Sequence, residues 1–169
     1  MKYTQHYDSP LGGITLTSDG EALVGLWFDG RGRYWDGLGD EATERDLPVF
    51  AEARRWLDIY FSGREPGFVP QLRLKETPFR KAVWEILLTI PYGETVTYGE
   101  VAARIARQQG VRRMSAQAVG GAVGHNPVPL IVPCHRVVGA GGNLTGYGCG
   151  LDIKAGLLRL EGADMSRFH

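Results

Sequence analysis

From Tyr3 to Asp29, polar and apolar residues alternate or gather into short apolar runs, in the segments "YTQHYDSP", "GGITLTSDG" and "EALVGLWFD". Ser-Pro, Gly-Gly and Asp-Gly pairs, which favour turns, separate them. Successive side chains of an extended chain point to opposite faces, so this pattern predicts strands. The short breaks predict that they pair as an antiparallel sheet. Over residues 47–61, "LPVFAEARRWLDIYF", the period changes: Phe50, Ala53, Trp56, Leu57 and Tyr60 share one helical face until Ser62-Gly63 ends the run. "GREPGFVP" reads as a connection and places a domain boundary within residues 63–76.

Beyond that boundary the spacing is helical. Thr77 can cap a helix with Pro78 in its first turn, and "FRKAVWEILLTI" continues it until Pro91. Thr97 and Glu100 have capping-box spacing at the head of a helix through Ala106. Ser115 can cap another, "AQAVGGAVGH", whose Gly and Ala give it a thin surface suited to close approach. The pair reads as a generic helical hairpin or as a helix-turn-helix that enters a DNA groove. A last helix, "IKAGLLRLEG", begins at Asp152 and closes at Gly162. The expected architecture is α/β (α+β), with a small sheet-containing domain over residues 1–75 and a helical domain over residues 76–169.

At 169 residues and 43% hydrophobic content, the chain can bury one sizeable core or two small ones. No apolar run approaches the roughly 18–20 residues of a membrane helix. "MKYTQHYDSP" has neither an apolar signal core nor an Arg-rich amphipathic pattern, so a cytoplasmic location is expected. Two cysteines do not make a disulfide framework. The net charge is zero but unevenly spread: nine basic residues face twelve acidic ones up to Lys75, and ten face seven from Glu76 onward. Arg104, Arg107, Arg112 and Arg113 crowd one short stretch and form either a phosphate-contacting patch or a solvated face.

Both cysteines lie in "IVPCHRVVGAGGNLTGYGCG", residues 131–150. A free cysteine is commonly a small buried hydrophobe. Here Pro133 fixes the approach of the chain, His135 brings a base that titrates near neutral pH, and Arg136 brings positive charge, a combination that favours a nucleophilic Cys134. Adjacent side chains do not face one another in regular structure, so Cys134 and His135 need a turn or a bridging water to communicate. Glu161, at the end of the last helix, could hold the imidazole in one tautomer and complete a Cys, His, acid relay. Zinc held by His125, Cys134, His135 and Cys149 is a weaker alternative, because no CxxC or HxxxH pair is present. The glycines from Gly139 to Gly150 lack the Lys-Ser/Thr of a phosphate loop and read as a hairpin. His6 and His169 read as surface residues.

"NPVPLI", "VPCHRVV", "GNLTGYGCG" and the terminal "LLRLEG" closely resemble the O6-alkylguanine-DNA alkyltransferases, or methylated-DNA-protein-cysteine methyltransferases, from about Thr77 to Gly162. The N-terminal third matches in outline only. The resemblance implies a ribonuclease H-like first domain and a helix-turn-helix that enters the minor groove of double-stranded DNA. It implies one irreversible transfer per molecule, from O6 of guanine or O4 of thymine to Cys134, by a monomer without cofactor or metal. His135 would take the thiol proton through a water, Glu161 would orient His135, and Asn126 would brace the loop. Tyr98 would crowd the target phosphate and donate a proton to the departing base. The base must be flipped out of the stack. Leu144, Tyr147, the Gly148 backbone and Lys154 would wall its pocket, and the Cys134 and Val137 carbonyls would accept from the guanine amino group. Ser115, Arg136 and the four clustered arginines would contact DNA.

Two positions depart from the family pattern. Gln117 stands where many members place an arginine that fills the gap left by the flipped base. Cys149 stands where glycine is usual, and its sulfur would crowd large substituents more than methyl. Two other functions compete: a non-catalytic sensor of alkylated DNA, which lacks the nucleophile, and a cysteine hydrolase, whose signatures are absent.

Overall fold

The computed structural model describes residues 2–30, 42–74, 76–144, 147 and 150–169. The chain divides into two compact units, Met1–Leu74 and Lys75–His169. In the first, β1 (Lys2–Ser9), β2 (Gly12–Ser18) and β3 (Leu23–Phe28) pair antiparallel in sequence order, as the alternating runs predict. A fourth strand, β4 (Ala42–Glu44), differs: it adds beside β1 in parallel, so the sheet order is β3-β2-β1-β4. Its three residues carry no apolar alternation that could announce it. Helix α1 (Pro48–Phe61) buries Phe50, Ala53, Trp56, Leu57 and Tyr60, the face its spacing predicts. These side chains join Ile14, Leu16, Leu26 and Phe28 in the unit's apolar core.

The second unit holds α2 (Pro78–Leu87), α3 (Tyr98–Gln109), α4 (Ala116–Gly124) and α5 (Leu151–Leu160). Thr77 caps α2 by accepting the Arg80 N–H, and Thr97 and Glu100 close a capping box on α3. Gly110 ends α3 in the left-handed conformation, at φ 66°. Ser115 then starts α4 by accepting the Gln117 and Ala118 N–H groups, which completes helix, turn, helix. The buried Trp84 indole donates to the Ala122 carbonyl at 2.9 Å and ties α4 to α2. Two short strands, β5 (Val96–Thr97) and β6 (Val137–Val138), pair in parallel. They bring the start of α3 beside the chain that follows Cys134. β6 leads directly into the glycine run, where Gly141 and Gly142 take the left-handed φ values 74° and 84°. No described helix is long and apolar enough to cross a membrane.

Candidate active site

Cys134 reaches the interior of the second unit on a braced turn. The buried Asn126 accepts the Val128 N–H on Oδ1 at 3.0 Å and donates from Nδ2 to the Val132 carbonyl at 2.8 Å. One side chain thus clamps both ends of segment 128–132, and the Val132 N–H closes the turn on the Val128 carbonyl at 3.0 Å. At its centre Leu130 has φ 80°, the one positive value at a non-glycine residue among the described residues. Left-handed backbone costs an L residue about 1–2 kcal/mol. Full burial of the leucine side chain offsets this by about 1.5–3 kcal/mol. Pro133 leads into a single 3-10 turn, Cys134–Arg136, in which all three side chains are buried.

That turn gives the adjacent residues different partners. His135 Nε2 lies 2.6 Å from Glu161 Oε2, with both side chains wholly inaccessible to solvent. Against the upward push of burial, His135 and Arg136 pull the Glu161 carboxyl down to about 2, so it is ionised and the imidazole donates from Nε2. Nδ1 is then the basic nitrogen of the ring. Burial holds the His135 pKa below its ordinary value despite the carboxylate, so the resting ring is neutral at pH 7.

Arg136 corrects a sequence expectation. Its guanidinium is buried rather than displayed to solvent: it forks onto Glu161, at 2.9 Å to Oε1 and 3.1 Å to Oε2. It also donates to the Ile90 carbonyl at 2.7 Å and lies 5.7 Å from the Tyr92 ring centre. Glu161 accepts a further hydrogen bond from the Gly93 N–H at 2.9 Å. Gly93 has φ 82°, and a Cβ there would lie 3.0 Å from the Glu161 carbonyl oxygen. Sequence reasoning misses Ile90, Tyr92 and Gly93, because "IPYG" signals only the end of a helix.

The cation within electrostatic reach of the sulfur is Lys154. It is fully buried on α5 and donates to the Val137 carbonyl at 2.7 Å. Burial pulls its ammonium down to about 8, with the charge of Cys134 opposing. Burial likewise pushes the Cys134 thiol up, so it rests protonated at neutral pH. The Asn126 amide, the charge of Lys154 and the nearby backbone N–H groups of Cys134 and Leu130 oppose that shift and draw it back toward ionisation. Tyr98, the first residue of α3, is half-buried; burial and then the Cys134 charge raise its hydroxyl pKa, so it stays protonated and able to donate. The structure thus gathers Cys134, His135, Glu161, Asn126, Lys154, Val137 and Tyr98 into one connected neighbourhood.

The remaining expected residues lie elsewhere in the unit. Tyr147 is buried and Leu144 half-buried, while Gly148 and Cys149 lie outside the described residues. Arg104, Arg107, Arg112, Arg113, Ser115 and Gln117 are all exposed on α3, the turn and the start of α4. The Ser115 hydroxyl is occupied as the cap of α4, with acceptor distances of 3.1 and 3.2 Å. His125, offered as a zinc ligand, turns Nδ1 to the Gly121 carbonyl at 2.6 Å. Among the described residues no three metal-capable side chains cluster.

Comparison with known proteins gives this geometry its family. Residues 2–74 match the family model described as "6-O-methylguanine DNA methyltransferase, ribonuclease-like domain", and residues 78–163 match the corresponding "DNA binding domain". A Methanosarcina acetivorans methylated-DNA-protein-cysteine methyltransferase is 45% identical over 161 residues, 95% of this chain and 99% of the relative. The crystal structure of Mycobacterium tuberculosis O6-methylguanine methyltransferase is 42% identical and superposes with a TM-score of 0.82 over 98% of each chain. The Mycobacterium tuberculosis OGT solved in complex with DNA is 43% identical, with a TM-score of 0.80 over 98% of this chain and 94% of that one. With both of its units matched, the chain belongs to the 6-O-methylguanine DNA methyltransferase family.

Proposed function

We propose that this protein repairs O6-alkylguanine, and O4-alkylthymine, in double-stranded DNA by moving the alkyl group once and irreversibly to Cys134. The observation that carries the reading is the buried chain of contacts behind that thiol: His135 held by an ionised Glu161, which is itself held by Arg136. Such a chain serves a residue that must lose a proton on demand. A thiol kept protonated by burial is safe from stray electrophiles and ionises when a base is at hand.

His135 Nδ1 accepts the Cys134 proton through a bridging water. The sulfur attacks the alkyl carbon in line with the C–O bond; the S–C bond forms as the C–O bond breaks, and the electron pair leaves on the base. Tyr98, protonated at neutral pH, donates to the departing purine and neutralises it. The reaction consumes no cofactor, because the acceptor is the protein's own sulfur. The product thioether has no proton to lose and its S–C bond resists hydrolysis, so the nucleophile is not regenerated and each molecule acts once.

The exposed face of α3, the turn and α4 supplies the DNA surface. The helix-turn-helix lies along the minor groove, the arginines hold phosphates, and the lesion base rotates out toward Cys134. The protein acts as a monomer. The deciding experiment incubates wild type and Cys134→Ser with DNA carrying labelled O6-methylguanine, with intact mass and peptide mapping as the readout. One methyl gained per molecule on Cys134, and none in the variant, is expected. Methyl gain by Cys134→Ser, or DNA binding by wild type without any gain, would overturn the assignment.

A further inference from the structure

We propose that residues 167–169 form a strap that fixes the glycine loop 139–144 and, through it, the Tyr147 wall of the base pocket, and that the strap limits the size of the alkyl group the site accepts. The inference rests on the reading of Cys134 as alkyl acceptor and adds positioning residues to that site. Three observations converge on it. His169 gives both of its backbone groups to the loop: its N–H donates to the Gly142 carbonyl at 3.1 Å, and its carbonyl accepts the Leu144 N–H at 3.0 Å. Gly142, at φ 84°, lies so close to the Arg167 carbonyl that a Cβ there would overlap it, so the fit requires glycine. Arg167 and Phe168 also line a cavity of about 340 Å³, shared with Thr95, Thr97, Val138 and Gly141.

The strap is anchored at its other end. It leaves α5 directly after Glu161, where the Ala163 N–H donates to the Leu158 carbonyl at 3.0 Å. Asp164 then caps the 3-10 turn Met165–Arg167 by accepting the Ser166 N–H at 3.1 Å. Within the loop the Gly139 N–H donates to the Asn143 carbonyl at 2.8 Å, yet three of its six residues are glycine, so its shape depends on contacts from outside. The cavity beside it is the space into which a released loop can shift. A wall held in place cannot yield to a larger substituent without strain, whereas a released one can. Leu144 ends the strapped segment, and the buried Tyr147 follows three residues later.

The test compares single-turnover transfer from one duplex carrying O6-methylguanine and from the same duplex carrying O6-benzylguanine, at saturating protein. The proteins are wild type, the chain without residues 167–169, Gly142→Ala and Gly141→Ala. A Cβ on Gly141, at φ 74°, would meet no described atom within 4 Å, so Gly141→Ala imposes similar backbone strain without displacing the strap. Removal of the strap should raise the benzyl-to-methyl rate ratio about tenfold and leave the methyl rate within about twofold of wild type. Gly142→Ala should raise the ratio in the same direction, and Gly141→Ala much less. Hydrogen exchange of the Leu144 amide, followed in the free protein, should accelerate in the shortened chain and in Gly142→Ala. An unchanged ratio or unchanged exchange after removal of residues 167–169, or a ratio raised no more in Gly142→Ala than in Gly141→Ala, would overturn the proposal. Exchange uses no DNA, so it reports on the strap even if wild type gains no methyl, the result that overturns the reading of Cys134.

Discussion

The two units bury different things. Inside Met1–Leu74 the described buried polar side chains are Thr17 and Ser18, and the rest of the core is aliphatic and aromatic. Inside Lys75–His169 the interior holds Asn126, His135, Arg136, Lys154 and Glu161, four of them ionisable. A buried charge contributes to stability only when its partners remain in place, and apolar packing of the same volume usually does as well or better. The second unit therefore carries a network that stability does not require. What it provides is a proton path and a local field at one sulfur.

The strongest way to break the contrast is Glu161→Gln. It leaves the Arg136 guanidinium buried without its counter-charge, so denaturant unfolding should show a loss of about 3–5 kcal/mol. Single-turnover methyl transfer by the folded protein should fall about a hundredfold, because the imidazole loses the carboxylate that fixes its tautomer. An unchanged rate would remove Glu161 from the chemistry and leave it a structural ion pair. Leu57→Ala in the first unit is the counterpart. It should cost a similar order, about 2–5 kcal/mol, as a cavity in a close-packed core. Its transfer rate per folded molecule should match wild type. A variant that slowed transfer without unfolding would show that the apolar core also tunes the site.

Acid should separate the same two effects. Glu161 titrates at about 2 in the folded chain against an ordinary 4.5. A depressed carboxylate contributes stability that is complete above about 4.5 and is lost as pH falls toward 2. Unfolding free energy measured from neutral pH downward should therefore decline over that window in wild type and decline less in Glu161→Gln. Parallel curves would mean that other carboxylates, such as Asp19, whose pKa also lies near 2, dominate acid unfolding.

The contrast also governs what is legible in the sequence. Strands β1–β3 and helix α1 can be read there because an apolar core writes its period directly into the chain. β4 cannot, since it pairs through backbone at an edge and buries no side chain fully. In the second unit the caps Thr77, Thr97 and Ser115 are legible, because capping is local. The Glu161 network joins Ile90, Gly93, His135 and Arg136 across 25 to 68 residues, and no spacing rule reaches that far. His135 and Glu161 stand out by residue type, but Arg136 reads as a DNA contact because sequence displays a charge without its partner. Leu130 is invisible, since leucine is the last residue whose identity announces a left-handed backbone.

Exposed charges offer smaller effects. Arg104, Arg107, Arg112 and Arg113 are solvent-accessible, so any one that neutralises a phosphate should, when replaced by alanine, shallow the logarithmic salt dependence of DNA binding by about one unit of slope. Melting temperature should barely move. If none of the four changes the slope, the cluster is a solvated face and the DNA surface lies elsewhere on the unit.

The smallest expected effect is at Gln117. It is exposed as the second residue of α4, where the Ser115 hydroxyl already satisfies its backbone N–H. Replacement by arginine adds a planar cation able to stack in the gap a flipped base leaves, a gain of about 0.5–1 kcal/mol for an exposed cation on a ring. It also sets positive charge at a helix N-terminus, which opposes the dipole by about 0.3–1 kcal/mol. The stacking gain is present only in the complex, whereas the dipole penalty acts with or without DNA and so lowers stability more than affinity. Gln117→Arg should therefore bind lesion-bearing duplex about two- to fivefold more tightly, with a slightly lower melting temperature in the free protein. Equal gains on lesion-bearing and undamaged duplex would assign the effect to charge alone, and weaker binding to the lesion would mark glutamine as the residue fitted to the gap.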